Sequence, residues 1–286
     1  MRSALRIFLS LKKTMRANKD LAISTDKVLL VPYDAHHVGR YHEWMQDEDL
    51  CEATASDLLT LEEEYENQQS WRTAHDKLTF IICQSATTSR SPPASSSPDA
   101  NLSASSVPVA TYAGEDDAEV RMVGDVNLFL TPDDDDDDIN NGGEKETAGS
   151  RIHLVKGEID IMIAAPEHRR KGLGEAAVRA FLAFLRRHHG DILDEYVCGT
   201  EGGSSTSTGT DAADTYRVSK LVAKINAENM GSIRLFENLG FRRHGEPNYF
   251  NEVSMVLVDF LGTGAGIENH GLGYRESFYD RSRLKK

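Results

Sequence analysis

Apolar and polar positions change rhythm along this chain, and the changes mark out its elements. Val28 to Val31 is a short apolar strand. Ala35 to Met45 follows as a helix, and Thr60 with Glu63 forms a capping box that starts a second helix running to about Thr73. Thr79 to Cys83, Val120 to Leu130 and Glu158 to Ala164 read as strands. From Gly172 onward the apolar residues Leu173, Ala177, Ala180, Phe181, Phe184 and Leu185 have helical spacing. Val218 to Ile225 is a strand, and Asn229 to Leu239 is a helix closed by Gly240. Phe241 to Gly245 and Val253 to Val258 read as a terminal hairpin. The order β-α-α-β-β-β-α-β-α-β-β predicts an α/β fold with a mixed sheet and helices on both faces.

Three stretches interrupt this pattern, at 84–119, 131–150 and 191–217. They are rich in Ser, Thr, Gly and acidic residues and offer little apolar surface to offset the entropy of ordering, so they read as low-complexity insertions. They also locate the charge. Together they carry a formal −16, against −14 for all 286 residues, so the rest is nearly neutral. Asp133 to Asp138 lie in the second stretch and read as a solvated acidic loop, because a calcium loop needs spaced ligands and a central glycine. Residues 1–14 read as an extension, 15–260 as one domain and 261–286 as a flexible tail. The basic stretch 1–19 is alternatively an organelle-targeting presequence. Cys51, Cys83 and Cys198 form no paired motif and fit a reducing compartment, here the cytoplasm. No apolar run has the length of a membrane span, and nothing suggests a nucleic-acid surface.

The densest chemistry lies between the Glu158–Ala164 strand and the helix from Gly172. The turn between them carries Arg169, Arg170 and Lys171 ahead of Gly172 and Gly174. The first amides of a helix lack internal partners and sit at the positive end of its dipole. Two glycines would let a pyrophosphate approach the backbone closely. Neither a Walker loop nor a dinucleotide fingerprint is present. By itself the pattern also describes an ordinary strand-to-helix turn with a solvated basic surface.

The run Arg169-x-x-Gly172-x-Gly174 after Ala165-Pro166 resembles the acetyl-CoA signature of the GNAT acetyltransferase superfamily. A second stretch, from Asn229 through Ser232, Leu235, Phe236 and Glu237 to Gly240-Phe241, resembles that superfamily's C-terminal signature. VPYDAHHVGRYHEWM, DKLTFIIC, GDVNLFL and GEIDIMIAAP narrow the resemblance to the eukaryotic N-acetyltransferase-9-like family, relatives of bacterial RimJ and RimL. The resemblance covers the chain from near Met15 to about Asp259, apart from the insertions. It implies a GNAT fold whose two central strands splay to admit acetyl-CoA. It also implies transfer of acetyl to a protein N-terminus, tubulin being one acceptor associated with the family. The backbone of Met162, Ile163 and Ala164 would then pair with the pantetheine arm. Arg169 would belong to the same site, with the amides of Arg170, Lys171, Gly172, Leu173, Gly174 and Glu175 holding the pyrophosphate. Asn229 would contact the cofactor further along.

Amine acetylation needs a free lone pair on nitrogen, so a carboxylate near the acceptor is expected as base. Glu158 resembles a glutamate used this way in several GNAT enzymes, Asp160 shares its strand face, and Asp125 is a third candidate. Many GNAT enzymes protonate the leaving thiolate with a tyrosine in the C-terminal motif; this chain has Phe236 there. Ser232 or water would take that role. His42, His153, His168, His188 and His189 show no metal-ligand spacing, so no metal is expected. The readings that remain are an acetyl-CoA-dependent transferase acting on a protein or peptide amine, a non-catalytic acyl-CoA-binding scaffold on the same fold, and a small-amine acetyltransferase.

Overall fold

The computed structural model describes residues 14–54, 56–85, 110–134, 152–200, 215–262 and 273–284. Ten strands form one sheet: β1 (Leu21–Ser24), β2 (Val28–Pro32), β3 (Lys77–Gln84), β4 (Thr111–Tyr112), β5 (Met122–Pro132), β6 (Ile152–Ile163), β7 (Thr215–Asn226), β8 (Arg242–His244), β9 (Glu252–Val258) and β10 (Arg275–Asp280). Across the sheet they run β4-β10-β1-β2-β3-β5-β6-β7-β9-β8. Neighbours are antiparallel except at β6 with β7 and at β10 with β4. The helices are α1 (Val38–Trp44), α2 (Glu48–Thr54), α3 (Leu61–Thr73), α4 (Leu173–Gly199) and α5 (Met230–Asn238).

Alternation along the strands sorts side chains onto two faces. Leu78, Phe80 and Ile82 of β3, Val126 and Leu128 of β5 and Ile159 of β6 pack with Leu173, Phe181 and Phe184 of α4 and Phe236 of α5. Phe80 meets the Phe181 and Phe184 rings edge-on, with centroids 6.0 and 5.2 Å away. Ile81 and Cys83, one step along β3, face the other way and pack with Val38, Tyr41 and Trp44 of α1 and Leu50 of α2. Both faces are thus covered, as the element order predicts. The Thr60 capping box forms, its hydroxyl accepting from the Glu63 amide while Glu63 returns to the Thr60 amide.

Three expected insertions are shorter than their composition suggests. The first ends early: Thr111 and Tyr112 form β4, and Asp117 is buried. In the second, Asp133 is no solvated loop residue. It is buried, with Lys220 Nζ 3.0 Å from one carboxylate oxygen and the Ser219 hydroxyl donating to the other. Asp135 to Asp138 lie outside the described residues. The third starts late, because α4 runs on to Gly199 and buries Ile192 and Tyr196, four residues apart on one helical face.

The expected flexible tail contains a strand. β10 pairs antiparallel with β1 and parallel with β4. Tyr279 on β10 is fully buried, and its hydroxyl donates to Asp117 Oδ2. The same oxygen lies 2.9 Å from His37 Nε2 and 3.1 Å from His36 Nε2, while Asp117 Oδ1 accepts the Gly114 amide at 2.5 Å. His37 Nδ1 accepts from the Asp34 amide, so the proton of the neutral ring is on Nε2 and points at Asp117. This cluster has the composition of a metal site; its hydrogen bonds to Asp117 tie three distant segments together, with His36 Nδ1 left without a partner among the described residues. At the other end Met15 is buried, and the Arg16 and Ala17 amides donate to Glu195, so residues 15–17 belong to the domain. Residues 1–13 lie outside the described residues.

Candidate active site

β6 and β7 pair from Ile152 and Thr215 as far as Glu158 and Val222. Beyond that point β6 continues to Ile163 along β5, and β7 continues to Asn226 along β9, without pairing to each other. The sheet therefore opens into a fork. The start of α4 and α5 close one side of it: a Cβ on Gly174 would touch Leu235 at 3.4 Å and both Ile161 and Ile163 at 3.7 Å.

Backbone direction alternates along an antiparallel ladder, and this fixes which groups of β6 face the fork. The Ala164 amide donates to the Val123 carbonyl at 2.9 Å, so Ala164 turns toward the β5 side. Ile161 and Ile163, on the opposite phase, turn toward the fork. Arg169 does not reach outward for an anion. Its Nε donates to the Ile163 carbonyl at 2.9 Å and its Nη2 to the Ala164 carbonyl at 2.8 Å. Of the expected strip Met162, Ile163 and Ala164, Ala164 is thus consumed by the protein's own bonds. The strip open to a ligand is the Ile163 amide with the backbone of Ile161. Opposite it, the Met162 carbonyl oxygen lies 1.8 Å from the place a Cβ on Gly124 would occupy, so this approach of β5 to β6 requires glycine.

The basic turn curls tightly. Arg170 and Gly172 have φ of 58° and 74°, and Gly172 is the left-handed N-cap of α4 with no side-chain cap. The amides of Leu173, Gly174 and Glu175 therefore start the helix without internal partners. Arg170 and Lys171 are exposed beside them. A further cation comes from the β1–β2 turn: Lys27 Nζ lies 2.8 Å from the Cβ position of Gly172. Unpaired amides with three ammonium or guanidinium groups at hand suit a pyrophosphate. No local signal in the sequence links Lys27 to this turn; only the sheet brings them together.

The three candidate carboxylates share the opposite face, the one toward α1. Glu158, Asp160 and Met162 alternate along β6, and Asp125 and Asn127 of β5 stand opposite Met162 and Asp160. Glu158 Oε2 is 2.8 Å from Lys224 Nζ, and this hydrogen bond raises the lysine's pKa. Asp160 is open to solvent, yet desolvation and the charge of Glu158 raise its pKa to about 6. Asp125 is 2% exposed; burial, with a smaller push from Asp160, raises it to about 7 against the hydrogen bond from Asn127. The structure thus brings all three acids together but gives the favoured one, Glu158, a cationic partner.

On α5, Asn229 is the N-cap and its side-chain oxygen accepts from the Ser232 amide at 3.1 Å. The helix itself explains this asparagine. Ser232 is half-buried in the first turn. Phe236 is buried edge-on against Phe241 at 5.0 Å, so no acid group stands at that position.

Residues 27–242 match the family described as "Acetyltransferase (GNAT) domain". The chain is similar to the "N-acetyltransferase 9-like protein" of Schizosaccharomyces pombe, 34% identical over 85% of this chain and 99% of that one. It is also 34% identical to the human "Alpha/beta-tubulin-N-acetyltransferase 9", over 85% of this chain and 86% of that one. Among solved structures, the spermidine N-acetyltransferase of Vibrio cholerae in complex with CoA and spermine covers 86% of this chain and all of its own, at 13% identity and a TM-score of 0.46.

Proposed function

The chain belongs to the GNAT acetyltransferase family and is an N-acetyltransferase, and we propose that it transfers acetyl from acetyl-CoA to the α-amine of a protein N-terminus, tubulin among its acceptors. The observation that carries this reading is the fork between β6 and β7, with the α4 amides and Lys27 at one side and three carboxylates at the other. The tubulin acceptor rests on the names of relatives such as the human alpha/beta-tubulin-N-acetyltransferase 9. Tyr249 and Phe250, exposed at the β8–β9 turn, offer an apolar contact that suits a protein better than a small polyamine.

Acetyl-CoA supplies an activated acyl group as thioester. The Leu173, Gly174 and Glu175 amides with Lys27, Arg170 and Lys171 hold its pyrophosphate, and the Ile161 and Ile163 backbone aligns the pantetheine. The amine nitrogen then attacks the thioester carbonyl, a C–N bond forms and the C–S bond breaks. An acceptor that arrives as an ammonium loses two protons in all. One returns to the thiolate, from Ser232 or water, and the other goes to solvent. Glu158 takes the proton released after attack, with Lys224 holding its carboxylate in place. The buried, unpaired Cys51 and Cys83 fit a reducing compartment such as the cytoplasm.

Incubation with labelled acetyl-CoA and a set of N-terminal peptides, read by mass spectrometry, tests the reading. Acetylated α-amines are expected. Labelling of spermidine in preference to every peptide would overturn it.

A further inference from the structure

Beneath α1 lies a cluster of polar groups that the helices and sheet do not satisfy. Asp125 Oδ2 accepts from Asn127 Nδ2 at 2.8 Å and from the Tyr41 hydroxyl at 3.4 Å. The other oxygen, Asp125 Oδ1, is buried and has no hydrogen-bond donor among the described residues, and neither has Asn127 Oδ1. These are two acceptors, one anionic, joined through a single hydrogen bond. A buried acceptor without a donor is costly to maintain, and folding gains nothing evident from this pair. The surrounding wall is aromatic: Tyr33 lies 5.1 Å from Tyr41, and Tyr41 6.0 Å from Trp44.

Asp125, the Asn127 amide oxygen and the ring faces suit a compact group with N–H donors and positive charge, and the Tyr33 hydroxyl and Trp44 Nε1, donors without a partner among the described residues, suit a carbonyl oxygen beside it. The cluster also stands at the right place. Asp125 is the register partner of Met162, between the fork-facing residues Ile161 and Ile163. Asp160, the register partner of Asn127, is the exposed neighbour of this buried cluster. Resting on the acetyltransferase reading, we propose that Asp125 and Asn127, walled by Tyr33, Tyr41 and Trp44, form the subsite for the acceptor's α-ammonium, and that Asp125 receives its first proton.

The step is a simple exchange: an N–H bond breaks, an O–H bond forms on Asp125, and the amine is left with its lone pair. Asp125, at about 7, is close to an α-amine at about 7.7–8.0 and far from a lysine side chain at about 10.4. Transfer from an α-ammonium is therefore nearly balanced, whereas transfer from a lysine is uphill. The groups that act on Asp125 are Asn127, Tyr41 and Asp160 on β6, with Tyr33 beside them; the carboxylate Glu64 on α3 acts on Tyr33 and Tyr41. Only the carboxylates among them add negative charge, which strengthens the site for a cation.

Trp44 forms part of the wall and reports on it. In a Trp71→Phe background its fluorescence is titrated with methionine amide, a minimal N-terminal residue, and with N-acetyl-methionine amide. A saturable response to the free amine alone is expected. It should weaken about 10-fold or more in Asp125→Asn and less in Tyr41→Phe, which keeps the ring and serves if Asp125→Asn does not fold. Equal binding of the free amine to wild type and to folded Asp125→Asn, or no response in wild type, would overturn the subsite. Peptide acetylation by wild type, followed separately, reports whether the enzymatic reading stands when the subsite falls.

Discussion

Met162 turns its carbonyl oxygen to within 1.8 Å of the point where any Cβ on Gly124 would stand. Gly124→Ala must therefore push β5 away from β6 at the root of the fork. Overpacking of this kind costs about 1–3 kcal/mol. Thermal unfolding should show that loss, and acetyl-CoA binding should weaken with it, because Ile161 and Ile163 move too. An unchanged melting temperature and unchanged cofactor affinity would mean that the strands separate without strain.

Lys27 should matter to cofactor binding although it lies about 145 residues from the turn it serves. Lys27→Ala is expected to weaken acetyl-CoA about 10-fold by calorimetry, the scale of one charged hydrogen bond. The loss should shrink as salt rises. Gly174→Glu should block binding far more severely, by bulk and charge beside the unpaired amides. Arg169→Ala should act differently, loosening the end of β6 and lowering stability as well as affinity.

Glu158→Gln keeps the side-chain shape and releases Lys224. Turnover at saturating peptide should fall about 10²-fold or more, while acetyl-CoA affinity stays near wild type. Asp125→Asn should instead raise the peptide KM and move the pH profile. In wild type the rate limb controlled by Asp125 should lie near pH 7. In the variant the limb should shift upward, toward the pKa of the acceptor amine, since only amine already neutral can react.

Burial of Asp125 predicts opposite effects on activity and stability. Its folded pKa, about 7, lies above the unfolded carboxyl value of about 3.9. Between those values the folded state holds a proton that the unfolded state has lost, so stability falls as pH rises through this window. Asp125→Asn should therefore melt higher than wild type at pH 8, by a few degrees, with little difference below pH 4. An acid whose burial weakens the fold is better accounted for by a role at the site than by stability.

Asp117 works in the other sense. Hydrogen bonds from His36, His37 and Tyr279 hold its pKa well below the usual carboxylate range despite burial. Its contribution is complete above the unfolded value and is lost as pH falls through the folded one. Tyr279→Ala, which empties a fully buried aromatic position, should cost about 3–5 kcal/mol. Replacing residues 86–109 by a short Gly/Ser linker should leave stability and peptide acetylation intact. Extending the same deletion through Asp117 should unfold the domain, as circular dichroism would show.

Four helices, α1, α3, α4 and α5, and the central strands were legible because each carries its own periodicity; the short α2 and β1 were not read. The α4 stripe of Leu173, Ala177, Phe181 and Phe184 and the Thr60–Glu63 cap need no distant partner to be read. The paired acids on β6 follow from alternation alone. β10 was not legible, because Arg-Glu-Ser-Phe-Tyr-Asp is mostly polar, exposes Phe278, and earns its strand only from partners at β1 and β4. Lys27 and the Glu158–Lys224 pair are likewise products of topology. So is the burial of Asp125, which depends on Tyr41 from another element. Composition misled at the edges of the insertions, where Asp117, Asp133 and Tyr196 are buried residues with specific partners in distant segments.

β10 sits between β1 and β4 in the finished sheet. During synthesis β1 emerges first, and the strand that completes its free edge follows some 250 residues later. For that whole interval the nascent domain presents an open row of backbone donors and acceptors beside the buried residues Ala22 and Ile23. Assembly at this edge is therefore gated by translation of Arg275 to Asp280, and an incomplete chain would meet other strands, or a chaperone, before it met its own.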